Sequence, residues 1–142
     1  MRAAQAEGRR VFVDTSAIVA VVIRREEQHR VALAIFERLG AGGRTVVTTN
    51  LVVAEAHAFI LSRSQRDQAK AALAWMDTRF EIVRAMPEDE AAGRAILDRF
   101  ADKAFSLTDA ISFAVMDRLR LRTAFAFDRH FAQYGLDVLA EG

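Results

Sequence analysis

The sequence contains no cysteine, which removes disulfides, thiolate nucleophiles and cysteine-ligated zinc from the chemistry open to it. It has a single proline and is 52% hydrophobic, too apolar for a disordered chain. Lysine is nearly absent: of 20 basic residues only Lys70 and Lys103 are not arginine. An arginine bias favours phosphate recognition, although the abundant alanine beside it points more to genome composition. A net charge of +1 gives no strong basic field to announce nucleic acid, yet an acid-rich pocket would offset a basic rim in that sum. No long apolar run marks a bilayer span. The longest near the start, Val11 to Ile23, is short and holds Asp14, so neither an anchor nor a secretory leader is expected. The absence of cysteine agrees with a cytoplasmic location, which is the expectation.

What is present reads as one domain. The 142 residues are enough to bury roughly two-thirds of the unfolded surface. Residues 1–9 are small and polar and are expected to form a flexible lead-in, with 10–142 as the folded domain. The run Arg10-Val11-Phe12-Val13 predicts a buried strand, halted by the cap-type residues Asp14-Thr15-Ser16. Helices are expected over 17–25 and 29–39, the second stopped by Gly40 to Gly43. A strand is expected at Thr45 to Thr48, then helices over 51–62 and 66–78 and a strand at Phe80 to Val83. Pro87 opens a helix to about 101, in the first turn where proline is tolerated. Ser106 or Thr108 caps another to about 119, and strands follow at Ala124 to Phe127 and Asp137 to Leu139. Short apolar strands alternating with helices predict an α/β fold, a parallel central sheet of four or five strands flanked by helices.

In such sheets ligands bind at the carboxyl ends of the strands, where Asp14 and Asp128 fall. Each has a structural alternative. Asp14 can simply cap a helix, as can Asp128 before Arg129-His130-Phe131. Ser106-x-x-Asp109 has the form of a capping box, and a carboxylate in a first turn is stabilised by the helix dipole. Glu55 is harder to explain away, because Leu51 to Leu61 offers little polar surface and a buried carboxylate needs compensation. Otherwise it lies on a narrow exposed stripe. Asp98, Asp102 and Asp117 read as surface residues. His29, His57 and His130 show no metal-ligand spacing, and His130 reads as structural.

The segments VFVDTSAIVAVV, TTNLVVAEAHAFI and SLTDAISFAVMDRLRLRTAFAFDRHFAQYGL, in this order, closely resemble the PIN-domain family. Within it they look most like the VapC-type toxins of bacterial and archaeal toxin–antitoxin pairs. The likeness runs from about Val11 to Leu139, and Ser106 to Phe131 is its most specific part. It implies a single PIN-like domain whose acidic site is Asp14, Glu55, Asp109 and Asp128, with Thr15, Ser16 and Thr108 in support. Many relatives carry threonine two residues before the last acid, where this chain has Ala126. That departure takes one hydrogen bond from the positioning of Asp128. The resemblance also implies an RNA substrate, a cognate antitoxin that inserts a segment near the acids, and a homodimer or toxin–antitoxin hetero-oligomer. The apolar helices at 51–61 and 67–76 would supply a dimer surface, or equally ordinary core.

Four converging carboxylates repel one another, so such a site either takes up protons or binds cations. Hard oxygen donors without cysteine or paired histidines favour Mg²⁺ or Mn²⁺ over zinc. On this reading Asp14, Asp109 and Asp128 hold the ion, and Glu55 shares a second one or orients the attacking water. Hydrolysis would then leave a 5′-phosphate and a 3′-hydroxyl. Arg24, Arg25, Arg63 and Arg129 are candidate phosphate contacts or a solvated face. Two rivals stand beside this reading. One is a PIN-like module that binds RNA or protein without cleaving. The other is a phosphotransfer enzyme with Asp14 as nucleophile, against which Ser16 occupies the place of the second acid such an enzyme would want.

Overall fold

Consecutive apolar residues with no polar alternation belong to strands covered on both faces, and this chain arranges five of them side by side. A computed structural model describes residues 8–139. The strands are β1 (Arg10–Val13), β2 (Thr45–Thr49), β3 (Glu81–Val83), β4 (Thr123–Phe125) and β5 (Asp137–Val138), in spatial order β3-β2-β1-β4-β5. All pairings are parallel; Phe12 lies opposite Val47 on one side and Ala124 on the other. Parallel neighbours need crossovers. Among the described residues these are built from α1 (Thr15–Val22), α2 (His29–Ala41), α3 (Asn50–Arg63), α4 (Arg66–Arg79), α5 (Pro87–Arg99), α6 (Leu107–Leu119) and α7 (His130–Tyr134). Most of the expected lead-in, residues 1–7, lies outside the described residues, while the Arg9 carbonyl already accepts from the Thr45 amide at 2.8 Å. Among the described residues no helix is long and apolar enough to cross a membrane.

From β1 the chain builds outward to β2 and β3 in one direction and later to β4 and β5 in the other. The crevice between β1 and β4 is therefore the topological switch point, the usual ligand position in an open parallel sheet. Asp14 follows β1 directly, and Asp128 comes shortly after β4. The helix α6 is buried from Asp109 through Met116, so it runs through the core and begins at the site. An aromatic cluster anchors it: Phe113 packs edge-on against Phe105 and Phe131 and stacks on Tyr134 at 4.5 Å between ring centroids.

Two features fix α6 against α5. Gly93 sits so close to the start of α6 that a Cβ there would lie 2.9 Å from Ile111 Cγ1 and 3.1 Å from the Ile111 amide nitrogen. Asp89 is buried and accepts from the Met86 amide at 2.7 Å and from Arg118 Nε and Nη2 at 2.8 Å each. This forked ion pair holds the Asp89 carboxyl below its usual range, chiefly through the Arg118 hydrogen bonds.

Several boundaries differ from the sequence expectation by a few residues. The first helix starts at Thr15, not 17, because Asp14 is its N-cap; it ends at Val22, where the Ile23 amide closes onto the Val19 carbonyl. Phe80 ends α4 and its ring is buried, so β3 begins one residue later. The strand β4 stops at Phe125, and the next backbone donor is satisfied in another way, described below.

Candidate active site

The site is built largely from helix caps. Asp14 leaves β1, donates its amide to the Phe125 carbonyl at 3.0 Å, and caps α1. Its Oδ2 accepts from the Ser16 amide at 3.3 Å and the Ser16 hydroxyl at 2.9 Å. The Ser16 Oγ in turn accepts from the Phe127 amide at 2.9 Å. A side-chain hydroxyl thus takes the place of the next strand carbonyl and extends the β1–β4 ladder by one rung, up to the residue before Asp128. The neighbouring strand is tied in as well: Thr48 Oγ1 donates to the Val13 carbonyl at 2.9 Å, and Thr49 caps α3, accepting from Val52 at 3.1 Å.

Asp109 completes the capping box expected at Ser106. Its amide donates to Ser106 Oγ and its Oδ2 accepts from the Ser106 amide, each at 3.0 Å. The same Oδ2 meets His130 Nδ1 at 2.8 Å, and Asp128 Oδ1 accepts from the His130 amide at 2.9 Å. Each of the three aspartates is thus a cap or turn residue, and the caps converge. Asp109, Asp128 and His130 each offer a ligand atom, all within 4.8 Å of one another. Asp14, Glu55, Asp109 and Asp128 line one pocket with Thr15 and Ser16.

Glu55 reaches this pocket half-buried from α3. Thr108 is also half-buried, and its carbonyl accepts from Ser112 Oγ at 2.8 Å. Ala126 is fully buried. Of the four arginines named as phosphate contacts, Arg63 lines the pocket; Arg25 donates to the Arg63 carbonyl at the end of α3. His130 corrects the sequence reading. It belongs to the acidic cluster, and its tie to Asp109 crosses 21 residues, a separation that no short ligand spacing reveals.

Asp14 is only 2% exposed, and its carboxyl is held well above the ordinary range. Burial is the first cause, then the charge of Asp128 and a hydrogen bond shared with it; Ser16 pulls the other way and Asp109 adds a smaller push upward. This is a site short of positive charge. The Thr15 hydroxyl, buried at the pocket wall without a hydrogen-bond partner among the described residues, is likewise short of one contact. A divalent cation fits this donor set: hard carboxylate oxygens with the His130 imidazole beside them.

Ser16 carries two ends of this arrangement, so Ser16→Ala should weaken both. Leaving the Phe127 amide unsatisfied costs about 1–2 kcal/mol. Loss of support for a ligand typically costs about 10–100-fold in activity or metal affinity. Thermal melts and the Mn²⁺-induced shift in melting temperature check this; a variant unchanged in both would remove Ser16 from the site.

A parallel sheet with an acidic crevice at its switch point defines a class of α/β domain. Comparison with known proteins identifies it further. The PIN domain profile matches residues 11–136. The crystal structure of Mycobacterium tuberculosis VapC20, described as a sarcin–ricin loop cleaving toxin, is similar at 30% identity with a TM-score of 0.80, over 89% of this chain and 95% of that one. VapBC2 from Rickettsia felis, bound to a DNA fragment from its promoter, is similar in fold at 16% identity and a TM-score of 0.68, over 91% of this chain and 96% of that one. No curated protein matches. The chain belongs to the PIN-domain family and, within it, to the VapC type.

Proposed function

We propose that this chain is a Mg²⁺- or Mn²⁺-dependent endoribonuclease, the toxin of a toxin–antitoxin pair. The reading rests on one observation: Asp14, Glu55, Asp109 and Asp128, from four separate segments, meet in one pocket at the switch point of the sheet. Asp14, Asp109 and Asp128 would hold the ion, with Glu55 sharing a second or orienting water. A bound divalent cation supplies polarisation of a phosphate oxygen and neutralises charge that develops during displacement.

The remaining work falls to the chain. Ser16 fixes Asp14 against the end of β4. Ser106 and His130 hold Asp109. Glu55, half-buried at the pocket wall, would orient the attacking water. Attack by water leaves a 5′-phosphate and a 3′-hydroxyl. RNA as the substrate class is supported by the similar tuberculosis toxin, whose description is of cleaving the sarcin–ricin loop. A cognate antitoxin and a homodimeric or toxin–antitoxin assembly follow from the family.

The test is cleavage of total RNA by purified, antitoxin-free protein with Mn²⁺ and with EDTA. Cleavage is expected only with the metal, and its fragments should carry 5′-phosphates that a ligase accepts. If Mn²⁺ neither raises the melting temperature nor supports cleavage, the chain is a binding module instead.

A further inference from the structure

The helix α3 carries a second pattern that the acidic site does not use. Glu55, Phe59 and Arg63 are four residues apart, so they share one face and succeed one another by about 6 Å along the axis. All three line the catalytic pocket. The core face of α3 is Val52, Ala56 and Ile60, each fully buried, whereas Phe59 is 38% exposed. Its ring is not bare on both sides: the Arg63 guanidinium lies over it, 4.3 Å from the centroid, and is steadied by Glu26 at 2.7 Å. Across the pocket stand the apolar Val19 and Ala20 of α1. Beyond the four acids, then, the pocket is lined by the apolar Val19, Ala20, Phe59 and Phe127, with Arg63, Glu26 and Gln28 beside them.

We infer that Phe59 is the platform on which an unpaired base of the RNA strand stacks, one helical turn from the acids that act on its phosphodiester. The inference deepens the nuclease reading and rests on it for the identity of the strand. Unstacked bases are recognised by stacking on aromatic rings and arginine planes. Glu55 and Phe59 project from one rigid helix, so the distance between the chemical end and the stacking end is fixed. The platform thereby sets which phosphate reaches the acids and demands that the neighbouring nucleotide be unpaired. Every base has a π-face, so this contact sets register rather than sequence.

The probe is a fluorescein-labelled, random-sequence single-stranded RNA pool, with binding followed by anisotropy in the Asp14→Asn protein so that nothing is cut. Adding Phe59→Ala should weaken binding roughly tenfold or more, while Phe59→Trp should retain it. A matching pool of abasic ribose phosphates should bind the Asp14→Asn protein and its Phe59→Ala derivative equally. In an otherwise unaltered chain, Phe59→Ala should raise KM for cleavage with little change in kcat, and its melting temperature verifies the fold. RNA affinity that survives Phe59→Ala overturns the inference and assigns the exposed ring to a protein partner; equal losses in Phe59→Ala and Phe59→Trp overturn it too. If binding depends on Phe59 yet Mn²⁺ yields no cleavage, the platform stands and the nuclease reading fails. If cleavage depends on metal and Phe59→Ala leaves KM unchanged, the nuclease reading stands and the platform fails.

Discussion

Asp14→Asn is expected to abolish the proposed cleavage and to raise the melting temperature of the metal-free protein. Both effects come from one buried carboxylate among others. The substitution keeps the shape and the Ser16 contact but removes a charged ligand, and a loss of at least about a hundredfold follows from losing metal-assisted chemistry. The stability effect follows from linkage. An unfolded aspartate titrates near about 3.9, and the folded value here is higher, so the folded state holds this proton more tightly. The stabilisation that results is complete below the unfolded value and is lost as pH rises through the folded one. At neutral pH the metal-free protein has lost it, whereas asparagine carries no such titration.

The variant is therefore expected to melt above the wild type in metal-free buffer at neutral pH. Saturating Mg²⁺ should reverse the order. An ion at a hundred times its dissociation constant adds about 2.7 kcal/mol to the wild type and little to the variant. Melts with and without Mg²⁺, between pH 4 and 8, check the claim; equal cleavage, or a variant less stable without metal at neutral pH, would sink it. Asp89 works with the opposite sign. Its folded value is lowered by Arg118, so its contribution is present above the unfolded value and is lost as pH falls through the folded one.

Gly93→Ala should destabilise the fold and impair the site together. An added Cβ would meet Ile111 Cγ1 at 2.9 Å, the Ile111 amide at 3.1 Å and the Ala110 carbonyl carbon at 3.3 Å. Two of these atoms are backbone and cannot turn aside, so α5 and α6 must part. Alanine gains about 1 kcal/mol in helix propensity, but overpacking of this kind costs typically about 1–3 kcal/mol and more where backbone must move. A net loss is expected, seen as a lower denaturation midpoint. The clash lies one and two residues from Asp109, so cleavage should fall even at temperatures where the variant is folded. Unchanged stability would mean that the α5–α6 approach is looser than it stands here.

The parts of this structure legible in sequence are those governed by neighbours along the chain. Val11, Phe12 and Val13 in a row, halted by Asp14, announce a central strand and a cap, and both are found. Pro87 opens its helix, and Ser106 caps the next, because capping is settled within three or four residues. The illegible parts are contacts across the fold. His130 joins Asp109 over 21 residues and Arg118 grips Asp89 over 29, neither with a local signature. Phe59 sits in an apolar run where nothing local separates it from Ile60, yet one is exposed and the other fully buried. Only the packed sheet decides which side of α3 faces the pocket.

The strand order also bears on the order of synthesis. Asp14 and Glu55 belong to the part of the chain that builds β1 and β2, whereas Asp109, Asp128 and His130 arrive with α6, β4 and α7. The two groups meet only when β4 docks on β1, with the Asp14 amide on the Phe125 carbonyl and the Ser16 hydroxyl on the Phe127 amide. Such long-range parallel pairing is among the slower steps of folding. A chain still on the ribosome, short of β4, holds three of its four acids and no closed pocket, so the site is completed only once β4 and Asp128 have been made.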